Sequence, residues 1–89
     1  MKAVITVVGH DSIGIIAGVS AACAEFGVNI NEITQSVLSD YFVMIMIVDI
    51  DGLTRDFSEF VDEMEKHGAE RNLEIHVMHE NIFDSMHEI

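Results

Sequence analysis

A chain of 89 residues has room for one domain, which buries only about two-thirds of the surface its unfolded form exposes. Apolar residues make up 49% of it; so much apolar surface implies that some is covered by another chain, yet no apolar run reaches the roughly 18 residues of a membrane span. Four basic residues stand against 16 acidic ones, for a formal charge of −12, a balance that repels phosphate backbones and anionic lipids and argues against nucleic-acid and membrane partners.

Lys2 to Val8 is a short β-branched run and reads as strand one. Met1-Lys2-Ala3 leads straight into it without a leader-like cleavage site, and the expected location is cytoplasmic. Gly9-His10-Asp11-Ser12 forms a loop ending in helix N-cap residue types, and Ile13 to Phe26 reads as helix one, closed by Gly27. Within it Cys23, the single cysteine, sits among small residues and reads as a buried hydrophobe, with no disulfide framework or thiolate metal cluster available. Val28 to Leu38 is strand two, Ser39-Asp40 a tight turn, and Tyr41 to Asp49 strand three, ended by Asp51-Gly52. Thr54 to His67 is helix two, with Phe57, Phe60, Val61 and Met64 on one stripe and Lys66, His67 and then Gly68 at its end. Leu73 to Met78 is strand four. Asn81 to Ile89 places Ile82, Phe83, Met86 and Ile89 on one side of a short helix.

This order predicts an α+β, ferredoxin-like βαββαβ fold: a four-stranded antiparallel sheet in the order 4-1-3-2, with right-handed crossovers putting both helices on one face. Residues 1–80 form the domain, and residues 81–89 a helical tail packed on it or on a dimer partner. Two patterns point beyond a monomer. Tyr41, Val43, Ile45 and Ile47 alternate with Phe42, Met44, Met46 and Val48, so strand three is apolar on both faces, whereas Leu73, Ile75 and Val77 alternate with Glu74 and His76 as a sheet with one wet face should. Helix one carries only Glu25 as a charge, and Gly14, Gly18 and Ala22 make a small-residue seam along it. A homodimer or larger assembly is expected, with Gly18 and Ala22 of helix one and Ile33, Gln35 and Val37 of edge strand two at its interface.

The run Val7-Val8-Gly9-His10-Asp11-Ser12-Ile13-Gly14, followed by a helix and then by Gly27-Val28-Asn29-Ile30, resembles the ACT domain family. There a glycine opens the first helix, and another, 13 residues on, ends it before a Val-Asn-Ile-like strand entry; Gly14 and Gly27 have that spacing. The likeness covers residues 2–79 and is that of a small single-domain bacterial ACT protein, with a more distant similarity to half of the glycine cleavage regulatory protein. Many members have proline before the helix-opening glycine; here Ile13 stands there, which costs the loop some rigidity. The resemblance implies a regulatory domain that binds an amino acid or similar small ligand at a subunit interface, through Asp11, Ser12, Ile13, Gly14, Ile15, Asn29 and Ile30.

The chemistry of those residues suits such a ligand. Free backbone N–H groups around Gly14 and Ile15 at the start of helix one would take a carboxylate, and Gly14 has no side chain to obstruct it. Asp11 would take the ammonium, and Asn29 both donates and accepts hydrogen bonds. Ser12 is first of all a helix cap, while Asp11 and Asn29 stand open between local backbone roles and ligand binding. His10, Asp11 and Ser12 are contiguous and do not make a triad, no nucleotide fingerprint is present, and the chain reads as a non-enzyme without cofactor. His76, His79, Glu80 and His87 suggest a metal only remotely, because residues 76 and 79 of one strand face opposite ways. Two functions remain: a homodimeric amino-acid sensor that signals to a partner protein, or a structural dimerisation or adaptor module without ligand. Asp11 and Asn29 lie at opposite ends of parallel strands, roughly 20 Å apart in one chain, so a site using both is shared between subunits.

Overall fold

The computed structural model describes residues 1–87, apart from the side chains at positions 83 and 87. Ile89 and the Phe83 side chain, expected on the apolar side of the tail, lie outside what is described. Elements follow in the order β1 (Lys2–His10), α1 (Ile15–Glu25), β2 (Asn29–Leu38), β3 (Tyr41–Asp49), α2 (Phe57–Glu70), β4 (Leu73–His79) and α3 (Glu80–His87). The sheet runs β2-β3-β1-β4, every neighbouring pair antiparallel. This is the predicted 4-1-3-2 order and ferredoxin-like architecture.

One face of the sheet meets α1 and α2. Ala3, Ile5 and Val7 of β1, and Phe42, Met44, Met46 and Val48 of β3, are buried against Ile15, Val19 and Cys23 of α1 and Phe60 and Met64 of α2. Among the described residues the buried side chains are all apolar. At about 25 cal/mol per Å² of apolar surface removed from water, this cluster is the main source of stability. On the other face the register aligns Val4 with Ile47 and Met78, and Val8 with Val43. Val4 is buried where α3 packs on β1 and β4, but Val8, Leu38, Tyr41 and Ile45 remain exposed. Strand three is therefore apolar on both faces, and the tail covers only one end of the open one.

The structure corrects four boundaries. Helix one begins at Ile15 instead of Ile13, and its N-cap is Gly14, at φ 85° and ψ 11° with no side-chain capping bond; Asp11 and Ser12 do not cap it. The left-handed glycine turns the chain abruptly, so β1 continues to His10, opposite Tyr41, and the Asp11 N–H donates to the Asp40 carbonyl at 2.8 Å. Helix two starts at Phe57 behind an extended Asp56, because Thr54 is engaged elsewhere: its N–H donates to the Phe26 carbonyl at 3.1 Å. Its end is also displaced. Gly68 lies inside α2, buried, where a Cβ would come 2.6 Å from the Leu73 carbonyl oxygen, and the helix turns off at Asn72, with φ 57°. That glycine is there to admit the backbone of β4.

Candidate functional site

Extension of β1 and the sharp turn at Gly14 open a depression of about 250 Å³ beside the first turn of α1. Asp11, Ser12, Gly14, Ile15, Ile16, Ala17, Gln35 and Phe42 line it. The first helical bond of α1 runs from the Gly18 N–H to the Gly14 carbonyl at 2.9 Å. The amides of Ile15, Ile16 and Ala17 precede it and have no acceptor within the helix. A Cβ at Gly14 would meet nothing within 4 Å, so the approach to these donors is open. Phe42, 4% exposed, forms an apolar floor, Gln35 supplies an amide from across the sheet, and Asp11 is the one charged residue of the lining. The lining offers donors for an anion, a carboxylate for a cation and an apolar floor, features that suit a zwitterionic small molecule.

Of the residues expected here, the fold brings together Asp11, Ser12, Gly14 and Ile15. Ile13 does not line the depression; its side chain is fully exposed beside it. Asn29 and Ile30 lie elsewhere. Asn29 pairs with Asp49, which pairs with Lys2 at the beginning of β1, whereas Asp11 follows that strand's end. With Asp11 nine residues on from Lys2, the two are roughly 30 Å apart at 3.3 Å per residue. The Asn29 side-chain amide donates to Asn31 Oδ1 at 3.0 Å. Ile16, Ala17, Gln35 and Phe42 were not singled out as site residues from sequence, although Gln35 was placed at an interface. The signal for Gln35 and Phe42 is the β2–β3 register, which pairs Gln35 with Met44 and Val37 with Phe42 and so sets β2 residues 33, 35 and 37 on the helix side.

The α1 seam meets the second helix of its own chain. Gly18 faces α2 of its own chain: a Cβ there would lie 3.0 Å from His67 Nε2 and 3.7 Å from Arg71 Nε. Ala22 packs partly buried on the core. These two residues are used within the chain, while Ile33 and Val37 of β2 remain exposed at 41% and 50%.

A second depression of about 250 Å³, lined by Phe26, Arg55, Glu59, Asp62, Glu63 and Lys66, lies near the other end of the molecule. The Arg55 guanidinium stacks 4.8 Å above Phe26, and three carboxylates face two cations, so neither sign of ligand is favoured. His76 pairs with Glu74 at 3.5 Å, while His79 turns its ring to Phe57 of α2 at 5.7 Å; the two histidines face opposite sides as the strand's parity dictates. Among the described residues no three metal-ligating side chains converge, and no helix is long and apolar enough to cross a membrane. Burial pushes the Cys23 thiol up to about 11. It is therefore expected to resist iodoacetamide at neutral pH and to react only on addition of denaturant, as mass spectrometry would read; rapid alkylation of native protein would contradict its placement in the core.

Known proteins share this architecture over the same span. The ACT domain model matches residues 2–78. A UPF0237 protein of Listeria innocua is 42% identical over 89 residues, covering 100% of both chains. The structure of an ACT domain protein from Streptococcus pneumoniae is similar with a TM-score of 0.82 and 45% identity, over 94% of each chain. The regulatory subunit of aspartate kinase from Thermus thermophilus, in its ligand-free form, gives a TM-score of 0.66 and 29% identity, with 85% of this chain aligned to 49% of that one. ACT domains are regulatory domains that bind small ligands such as amino acids, and they often dimerise. A sheet in this order, a glycine-opened first helix and a match running nearly end to end lead to one conclusion: the chain belongs to the ACT domain family.

Proposed function

We propose that this protein is a cytoplasmic, homodimeric amino-acid sensor that reports occupancy to a partner protein and catalyses nothing itself. The depression at the start of α1 carries this reading, because unpaired amides, the Asp11 carboxylate and the apolar Phe42 floor suit the three parts of an amino acid. Its likeness to the regulatory subunit of aspartate kinase supports the regulatory part. Asn29 and Ile30 of the expected set are absent from this end of any one chain, since they lie at the far end of the sheet. An unpaired edge supplies the remedy. If β2 pairs antiparallel with β2 of a second copy about Gln35, Ile33 stands opposite Val37 of the other chain. Asn29 is then carried to the other chain's Ser39–Asp40 turn, where the Asp40 carbonyl holds the Asp11 N–H. Two equivalent sites result, and ligand binding strengthens assembly.

A thermal-shift screen of the twenty amino acids, followed by calorimetry on those that raise the melting temperature, tests the sensor. Asp11→Ala and Asn29→Ala homodimers are expected to bind the selected amino acid at least tenfold more weakly. Their mixed, refolded heterodimer contains one intact site and should recover up to half of the binding stoichiometry. A confirmed heterodimer that recovers nothing excludes the shared site. If no amino acid shifts the melting temperature, the adaptor reading takes over, favoured by the exposed Leu38, Tyr41 and Ile45 on the open sheet face.

A further inference from the structure

The two helices meet where Gly18 of α1 faces the imidazole of His67, with a Cβ at Gly18 falling 3.0 Å from Nε2 and 3.1 Å from Cε1. Nε2 is buried and has no hydrogen-bond partner among the described residues. Nδ1 lies 3.4 Å from Arg71 Nη1. A guanidinium only donates, so Nδ1 accepts and the ring proton resides on Nε2, directed into the seam. The groups around the ring are unequal. Burial and the Arg71 charge hold the imidazole below its ordinary range, against the opposing pull of Glu70 and Glu63. From the other side Gly18 of α1 stands against the ring, and the sole charge of that helix, Glu25, lies two turns further along. A second ring proton would therefore meet the guanidinium at Nδ1 while Nε2 stayed without an acceptor.

We propose that His67 is a proton-operated latch between the helices, seated against Gly18 when neutral and expelled from the seam when protonated. The Gly18 N–H closes the first turn of α1 on the Gly14 carbonyl, so release of the latch is felt at Gly14, Ile15, Ile16 and Ala17, the rim of the depression. The latch belongs to the helix pair and operates whether or not the depression takes a ligand. Its sign is fixed. An imidazole held low in the folded state is protonated more readily in the unfolded chain, so the native seam loses stability as pH falls below about 6.5 and keeps it above.

Nuclear magnetic resonance of the 15N-labelled protein between pH 8 and pH 5 tests the latch. A His10→Gln background removes the imidazole nearest the loop. The Gly18 amide and those of residues 14–17 are expected to titrate together, at the midpoint of the His67 ring signals and below 6.5, and His67→Gln should abolish that shared titration. A His67 ring that titrates while those amides stay still overturns the proposal, as do amide shifts that survive in His67→Gln. Arg71→Gln, which leaves the imidazole in place, is the second variant should His67→Gln not fold. It should raise the common midpoint, and an unchanged midpoint counts against the latch.

Discussion

Replacing Gly27 with alanine is expected to lower the unfolding free energy by about 3 kcal/mol, a shift of about 15 °C in the melting temperature of a domain this small. Gly27 has φ 74°, where a side chain costs about 1–2 kcal/mol. It is also hemmed in, because an added Cβ would overlap the Gly52 carbonyl oxygen and lie 3.3 Å from Thr54 Cγ2. The neighbouring backbone would have to move, straining the bond from the Thr54 N–H to the Phe26 carbonyl, and such a bond is worth about 1 kcal/mol. Gly14 is the control. Its φ of 85° is similar, but a Cβ there meets nothing, so Gly14→Ala should cost only about 1 kcal/mol. Urea unfolding of both variants measures the difference. Equal losses would mean that close approach at Gly52 contributes nothing and that the backbone angle alone requires these glycines.

The second large effect concerns assembly. Gln35→Cys is expected to form a disulfide-linked dimer nearly quantitatively under mild oxidation, running at about twice the 9.9 kDa chain mass on a non-reducing gel. Antiparallel pairing about residue 35 sets its two copies directly opposite, with Cβ atoms about 4.5–5.5 Å apart, close to what a disulfide bridges. Cys23 is buried and does not compete. Placing the cysteine at position 34 or 36 turns it to the other face and offsets it from the axis, and much less cross-linking should follow. If all three positions cross-link alike, or none does, β2 is not paired about Gln35. Light scattering on the unmodified chain provides the companion measurement, and a mass near 9.9 kDa at micromolar concentration would remove the homodimer altogether.

Much of the fold was legible because the chain punctuates itself locally. Tyr41–Asp49 was delimited by Ser39-Asp40 on one side and Asp51-Gly52 on the other, and it emerged with those bounds. The sheet order followed from the handedness of two crossovers. What misled were signals whose meaning depends on distant neighbours. Lys66-His67-Gly68 has the look of a helix end, yet Gly68 is required by β4, which only the assembled fold brings alongside. Asp11-Ser12 has the chemistry of a cap, but the chain reaches α1 through a left-handed glycine, and the strand before it keeps pairing. The site was half legible for the same reason. Asp11, Ser12, Gly14 and Ile15 are contiguous and announce themselves, whereas Gln35 and Phe42 arrive through strand register. Gly18 and Ala22 showed that a seam exists without saying which surface fills it.

The core of this domain has an unusual chemistry for its size. Met44 and Met46 on the central strand and Met64 on α2 are completely enclosed, while Met1 and Met86 stand largely open. Thioethers are soft and conformationally adaptable, so the sheet and the helices meet through a layer that re-forms its contacts easily. The same atoms are targets for peroxide, which turns an apolar chain into a polar one that no interior tolerates. Oxidation is therefore expected first at the outer methionines, and at the inner three only in molecules that have already opened. Resistance to oxidants in this protein is thus a form of its folding stability.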